Sequence, residues 1–261
     1  MAEDKGLLLA VDIGNSSIGF GVFDSEKLKA SWNIATDIRR MADEYSVILL
    51  GLLKQQGISV EDVRKVALLS VVPPLVAVFE EMFKRYFGIS PLVVEAGIKT
   101  GVNIKLDNPR EVGADRIANA AAAHYLYSGP VIVVDMGTAT TFDTISAEGD
   151  YLGGAIAPGI DTAAEAMFER AAMLPRIELS YPKKVIGTST VGAMQSGFLY
   201  GYVDLVDGLI NRIRKELNQP AKVVATGGYA NLIAGESKFI DEVNMSLTLI
   251  GLRLIYIMNR A

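Results

Sequence analysis

Apolar and polar positions along the chain predict alternating strands and helices. Two apolar segments flank an Asp-x-Gly turn between Leu7 and about Phe23, which predicts a hairpin of buried strands. Apolar residues at helical spacing follow from Asp37 to about Gln56. The next apolar run, Val66 to Val72, is typical of a strand that ends at two prolines.

The alternation continues to the end of the chain. Further predicted elements are a helix around Val76–Phe83, a strand at Pro91–Val94, an alanine-rich helix from Glu111 to Tyr127, a second hairpin beginning at Val131, a long helix over Thr190–Leu217, a strand at Val223–Ala225 and a last helix beginning near Ser246. Polar and glycine-rich patterns predict loops over Lys99–Gly113 and Gly153–Gly159. Strands that alternate with helices indicate an α/β fold.

The two predicted hairpins have nearly the same sequence pattern. Each has an apolar run, then an aspartate (Asp12 or Asp135), a glycine and small hydroxyl residues. A small turn leaves backbone N–H groups and hydroxyls facing an anion, and the aspartate can hold a cation against it. One Asp-x-Gly turn is common hairpin punctuation. Two of them, at Gly14–Ser17 and Gly137–Thr140, predict related domains that close around the phosphates of a nucleotide.

Two further segments have both a functional and a structural interpretation. Thr226-Gly227-Gly228 follows a predicted strand, and it is either an adenosine or phosphate contact or a plain turn. Asp115 lies at the start of a predicted helix, where it either complements the helix dipole or takes a proton from a substrate hydroxyl. Arg116 beside it is either a solvated charge or a clamp for an anionic substrate.

Composition narrows the function classes. The 261 residues are 50% hydrophobic and carry a net charge of −5, which argues against nonspecific binding of DNA or RNA. The chain has no cysteine and a single histidine, His124, which is more typical of a helix surface or packing role than of catalysis. The charged MAEDKG start and the absence of a long apolar window predict a cytoplasmic protein without signal peptide or membrane span.

These motifs together resemble the type III pantothenate kinases, which belong to the superfamily of acetate and sugar kinases, Hsp70 and actin. The resemblance covers nearly the whole chain. The segments that carry it are DIGNSS, SVVPPL, TGVNIKLDNPREVGADR, VDMGTATTFD, YLGGAIAPGI, TSTVGAMQSG and TGG.

The resemblance implies two ribonuclease-H-like domains, at residues 1–118 and 119–261, with mixed sheets flanked by helices and an interdomain cleft. It implies transfer of the ATP γ-phosphate to pantothenate, which gives 4'-phosphopantothenate in the first step towards coenzyme A. It also implies a homodimer that uses Mg²⁺ and a monovalent cation, K⁺ or NH₄⁺.

Residue roles carry over from the resemblance by position. Asp115 matches the general base. Substrate-binding positions are Gly113, Ala114, Arg116, Thr190 and Leu106. Nucleotide-binding positions are Asp12, Ile13, Gly14, Asn15, Ser16, Ser17, Ile18, Gly19, Thr138, Thr226, Gly227 and Gly228. Metal-binding positions are Asp135 and Asp12.

Leu106 departs from the family pattern, because many members carry a substrate-contacting tyrosine there. Ser16 replaces the usual threonine and keeps the hydroxyl. The departure at Leu106 keeps two alternatives open, a non-catalytic nucleotide-binding regulator and a kinase for another small hydroxy acid or amide. The apolar stretch with Met194, Phe198, Tyr200 and Tyr202 is either a dimer surface or core.

Overall fold

The structure is a computed structural model that describes residues 6–95 and 97–260. Its strands are β1 (Leu7–Ile13), β2 (Ser17–Asp24), β3 (Lys27–Ala35), β4 (Val63–Ser70), β5 (Leu92–Val93), β6 (Asn103–Ile104), β7 (Val131–Met136), β8 (Ala139–Ile145), β9 (Asp150–Pro158), β10 (Lys222–Thr226) and β11 (Glu242–Val243). Its α-helices are α1 (Ala42–Gln55), α2 (Pro73–Phe87), α3 (Ala114–Leu126), α4 (Ile160–Arg170), α5 (Thr190–Leu217), α6 (Ala230–Ala234) and α7 (Leu247–Arg260).

The chain divides into two compact units. Among the described residues, unit 1 comprises 6–95, 97–101, 108–122 and 247–260, and unit 2 comprises 102–107 and 123–246. This division differs from the expected boundary between residues 118 and 119, because the last helix returns to the first unit and a short segment before α3 pairs with the second.

The same sheet order occurs in both units. Unit 1 has the order β3-β2-β1-β4-β5, and unit 2 has β11-β10-β7-β8-β9, with β6 added beside β9. In each unit an antiparallel three-strand meander is continued by parallel strands on the far side of its first strand. The repeated Asp-x-Gly pattern therefore marks a repeated topology, with β1 and β7 in equivalent central positions.

Each sheet is packed against helices through its own core. In unit 1, buried residues of β1, β2 and β4 pack with α1 and α2 around Tyr45, Phe79 and Phe83. In unit 2, buried residues of β7 and β10 pack with α5 and α6. The central strands are apolar because both of their faces are covered, as is usual for parallel strands in α/β folds.

The structure differs from the expectations at two strands, β3 and β9. Strand β3 was not predicted, because its positions alternate between half-buried and exposed at the edge of the sheet. The predicted loop Gly153–Gly159 is mostly strand β9, and helix α4 follows it. Position 154 in β9 requires glycine, because a Cβ there would lie 1.5 Å from the carbonyl oxygen of Phe142. Helix α5, by contrast, has the predicted bounds.

The apolar stretch on α5 belongs mainly to the core. Met194 and Tyr202 are buried, and Phe198 packs against the second core. The core interpretation of this stretch is therefore confirmed for these residues. Among the helices in the described part of the chain, none is long and apolar enough to cross a bilayer.

Helix α7 is anchored in unit 1 by polar and close contacts. Arg253 is 5% exposed, donates to the Ser25 carbonyl at 2.5 Å and forms an ion pair with Glu26 at 3.3 Å. Ser25 lies in the β2–β3 turn with φ of 56°, so the arginine satisfies a carbonyl in a left-handed turn. The Thr248 hydroxyl donates to Asn119 Oδ1 at 2.8 Å, which joins α7 to α3.

Gly251 allows α7 to approach α3 closely, because a Cβ at this position would lie 1.9 Å from the Ala118 carbonyl oxygen. We expect Gly251→Ala to lower the free energy of unfolding by about 1–3 kcal/mol through overpacking. Denaturant unfolding measures this change. Gly51→Ala on α1 is the matched control, since its Cβ meets nothing within 4 Å, and it should be neutral or stabilising. Equal stability of the two variants would contradict the close approach.

Candidate functional site

The first phosphate loop follows β1 directly. Asp12 is half-buried near the end of β1, opposite Gly19 on β2. The Gly14 amide donates to the Ser17 carbonyl at 2.9 Å and closes the turn, while Asn15, Ser16 and Ser17 are exposed. Exposed amides and hydroxyls in a tight turn beside a carboxylate can bind a phosphate together with its cation.

Thr36 braces this loop from the end of β3. Its hydroxyl donates to the Gly14 carbonyl at 2.7 Å, and its amide donates to the Ser16 carbonyl at 3.1 Å. The turn is therefore held at two carbonyls by Thr36, the residue that directly follows β3.

The second phosphate loop has an equivalent brace in unit 2. The Gly137 amide donates to the Ala139 carbonyl at 3.0 Å, and Thr138 is exposed at the tip. The Thr138 carbonyl accepts from the Gly159 amide at 3.0 Å and from the Thr162 hydroxyl at 2.7 Å. The start of α4 thus holds the second loop in the way that Thr36 holds the first.

Thr140 is not part of the exposed second loop, contrary to the expectation. It is fully buried, and its hydroxyl forms a hydrogen bond with the Tyr202 hydroxyl, which also donates to the Pro158 carbonyl at 3.2 Å. Burial raises the pKa of Tyr202. The hydroxyl of Thr140 therefore serves the core of unit 2, because strand alternation turns it away from the loop tip.

The Thr226–Gly228 segment lies beside Asp135. Thr226 pairs with Asp135 across the parallel strands β10 and β7. Gly227 has φ of 91°, and a Cβ there would lie 2.7 Å from Asp135 Oδ1 and from the Met136 amide nitrogen. Only glycine fits this close approach. The Thr226–Gly228 segment therefore lies at the same sheet edge as Asp135, where the second phosphate loop begins. That edge is the carboxyl end of parallel strands, where ligands bind in α/β sheets.

Asp115 and Arg116 lie in the first turn of α3 and are half-buried. Asp115 Oδ1 accepts from the Arg116 amide at 2.8 Å, and the Ile117 amide donates to the Gly113 carbonyl at 3.1 Å. A Cβ at position 113 would lie 2.4 Å from Asp115 Oδ1. Gly113 therefore leaves the space that this carboxylate occupies, and Ala114 begins the helix.

Thr190 is the first residue of α5, and Ser189 caps that helix by accepting from the Gly192 amide at 3.1 Å. Thr190 lines a cavity of about 880 Å³ in unit 2, with apolar walls that include Met167 and Leu174. Leu106 is half-buried and lies against β9, where a Cβ on Gly153 would be 3.0 Å from Leu106 Cδ2. Leu106 thus packs on a glycine of the neighbouring strand.

The predicted site residues fall into two sets. Unit 1 holds Asp12–Gly19 and Gly113–Arg116, and unit 2 holds Leu106, Asp135, Thr138, Thr190 and Thr226–Gly228. Sequence reasoning missed Thr36 and Thr162. Each follows the third strand of its repeat, so alignment of the two repeats could have found them only if β3 and β9 had been predicted.

The aspartates Asp12 and Asp135 fit a hard cation by donor chemistry. Each places a carboxylate next to a turn that can bind phosphate, and carboxylate oxygens are ligands for Mg²⁺ and similar cations. In residues 6–95 and 97–260, no group of three or more histidine, aspartate or glutamate side chains is placed to hold a metal.

Comparison with solved structures defines the fold. A Baf family protein from Campylobacter jejuni matches with a TM-score of 0.58 and 22% identity, covering 95% of this chain and 96% of that one. A ROK hexokinase from Thermus thermophilus matches with a TM-score of 0.51 and 12% identity, covering 95% and 98%. The fold is that of the sugar kinases and actin-like ATPases, and the expected fold class is confirmed.

Sequence comparison defines the family within this class. The family model for type III pantothenate kinase matches residues 8–212. A type III pantothenate kinase from Dehalococcoides mccartyi is 59% identical over 254 residues, which are 97% of this chain and 98% of that protein. The chain belongs to the type III pantothenate kinase family, whose kinase chemistry uses ATP.

A substitution at Gly113 is expected to change the activity of the protein without changing its stability. In Gly113→Ala the new methyl group displaces the Asp115 carboxylate, which is a side-chain tip that can move without unfolding the helix. We expect kcat for pantothenate phosphorylation to fall by about 10²-fold, while the melting temperature stays unchanged. Gly208→Ala on α5 is the control, because its Cβ meets nothing within 4 Å. Full activity of Gly113→Ala would show that the carboxylate position is not needed.

Proposed function

We propose that this protein phosphorylates pantothenate with ATP and forms 4'-phosphopantothenate, the first step of coenzyme A synthesis. The observation that carries the proposal is the Gly113–Arg116 turn in a chain of this family, because it sets a half-buried carboxylate and a guanidinium at one helix start. The use of ATP and a coenzyme A precursor favours a cytoplasmic location.

Asp115 acts as the general base in this proposal. The primary hydroxyl oxygen of pantothenate attacks the γ-phosphorus, its proton passes to the Asp115 carboxylate, and the bond between the γ-phosphorus and the bridging oxygen breaks to release ADP. Arg116 binds the carboxylate of pantothenate, which an acidic protein attracts only through a local positive charge.

The two phosphate loops bind ATP through amides and hydroxyls. Asp12 would hold Mg²⁺ beside the first loop, and Asp135 would hold Mg²⁺ or a monovalent cation, K⁺ or NH₄⁺, beside the second. These cations supply charge that offsets the negative charge of the phosphates during transfer. The position of Asp135 beside Gly227 supports the assignment, since its carboxylate lies at the sheet edge.

Thr190 and Leu106 contribute to substrate binding in the proposal. The exposed Thr190 offers a hydroxyl at a cavity wall. Leu106 offers an apolar surface where a tyrosine hydroxyl is usual in the family, so we expect weaker polar recognition at that position.

A homodimer accompanies the proposed activity. Several large apolar side chains of unit 2 are exposed, among them Met167, Met173, Val191 and Leu205. Apolar surface of this kind is usually covered in an assembly. Sedimentation analysis at micromolar concentration tests the dimer, and a monomer at all concentrations would remove it.

ADP release in the presence of ATP, Mg²⁺ and K⁺, measured with and without pantothenate, tests the function. Pantothenate-dependent release supports the kinase. Faster release with another small hydroxy acid or amide would assign a different substrate. Bound ATP without turnover for any compound would identify a regulator instead.

Asp115→Asn isolates the base. The amide keeps the shape of the side chain but cannot accept the proton, so we expect kcat to fall by about 10²–10⁴-fold with ATP affinity and melting temperature retained. Asp204→Asn on α5 is the charge-matched control, because Asp204 is exposed and has no role in the proposal. The base assignment fails if Asp115→Asn turns over as fast as the control.

A further inference from the structure

A hydrogen bond joins the two segments that flank the second phosphate loop. The Tyr229 hydroxyl donates to Asp161 Oδ2. Tyr229 directly follows Thr226–Gly228, and Asp161 lies in the first turn of α4, between Gly159 and Thr162, which bind the Thr138 carbonyl. Neither residue has a role in the proposed reaction.

We propose that Asp161 and Tyr229 are a positioning pair that fixes the Thr226–Gly228 segment against the second phosphate loop and thereby sets nucleotide affinity. This inference rests on the proposed function, which it deepens by naming residues that hold the nucleotide-binding half of unit 2 in place.

The contacts form a closed ring within unit 2. Gly227 lies against Asp135 at the end of β7, and the loop that follows leads to Thr138. The Thr138 carbonyl is bound by the start of α4, and Asp161 in that turn binds Tyr229, two residues after Gly227. Removal of the Asp161–Tyr229 bond opens this ring at a side-chain link between α4 and the turn after β10.

The turn after β10 contains two glycines that allow several backbone conformations, so a side-chain hydrogen bond is needed to hold it in one of them. Gly227 has φ of 91°, and a Cβ on the exposed Gly228 would meet nothing within 4 Å. Two consecutive glycines leave a segment with many accessible conformations. The Tyr229 ring is held against the core of unit 2, and its hydroxyl fixes the segment from the side of α4.

The tyrosine is suited to act as a donor. Burial, followed by the hydrogen bond to Asp161, raises the pKa of Tyr229 well above its usual value. A tyrosine hydroxyl is protonated at neutral pH, and the raised pKa extends that range further into alkaline pH. The hydroxyl donates to a carboxylate, and such a hydrogen bond is stronger than one between neutral groups.

Equilibrium binding of ATP with Mg²⁺, measured without pantothenate, tests the pair in the full chain. We expect Tyr229→Phe and Asp161→Ala each to raise the Kd for ATP by about tenfold, in line with the loss of one charge-assisted hydrogen bond. Asp161→Asn keeps an acceptor oxygen and should recover most of the affinity. In steady-state assays, KM for ATP should rise while KM for pantothenate stays unchanged.

Tyr181→Phe is the matched control. The Tyr181 hydroxyl donates to the Leu232 carbonyl in α6 at 3.2 Å, and its ring also packs on the core of unit 2. Because Tyr229 directly precedes α6, this variant measures the effect of losing another tyrosine hydroxyl near that helix. This variant should bind ATP as the parent does. The double variant of Asp161→Ala and Tyr229→Phe should be no weaker than either single variant, because both remove the same bond.

The outcomes separate this inference from the proposed function. Unchanged Kd for ATP in Tyr229→Phe and Asp161→Ala overturns the positioning pair, even if pantothenate is phosphorylated. An equal loss in Tyr181→Phe also overturns it, since the effect would then be structural. A parent protein that binds ATP but never phosphorylates pantothenate would contradict the proposed function, and a raised Kd in the variants would still support the pair.

Discussion

Each unit depends on a central strand that is buried along its length and ends beside a half-buried aspartate. Strands β1 and β7 are covered on both faces, so a carboxylate is tolerated only where each strand emerges at the sheet edge. That constraint fixes the position of Asp12 and Asp135, and the tight turn must follow at once because the next strand pairs antiparallel. The phosphate loops are therefore a consequence of strand burial as much as of local glycine content.

Space left by glycine determines how the functional groups are placed. At Gly227 the backbone of one strand end reaches the Asp135 carboxylate, and at Gly113 the missing side chain leaves room for the Asp115 carboxylate. The physical consequences differ. A methyl group at Gly227 meets backbone atoms and a left-handed φ, so it would strain the fold, whereas a methyl group at Gly113 meets a movable carboxylate and disturbs chemistry first.

The two units resemble each other in a side-chain contact as well as in topology, because a threonine hydroxyl binds a carbonyl of the phosphate loop in each. Thr36 and Thr162 have different local sequences and lie in different secondary structure, yet each hydroxyl donates to a loop carbonyl at 2.7 Å. A hydroxyl from the chain after the third strand is available in both units because the meander returns to the same sheet edge. A carbonyl bound in this way restrains the turn that carries it.

The sequence by itself determined the paired hairpins, the aspartates at their turns and the bounds of α5, because buried central strands and long helices have strong periodic patterns. It also carries the motifs by which the chain resembles its family. Tertiary structure decided the rest. Edge strand β3 lacks an apolar face, glycine-rich β9 resembles a loop, and Thr140 faces the core rather than the loop. The return of α7 to unit 1, the approach of Gly227 to Asp135 and the Asp161–Tyr229 bond all join residues distant along the chain, and such contacts depend on packing that no local pattern encodes.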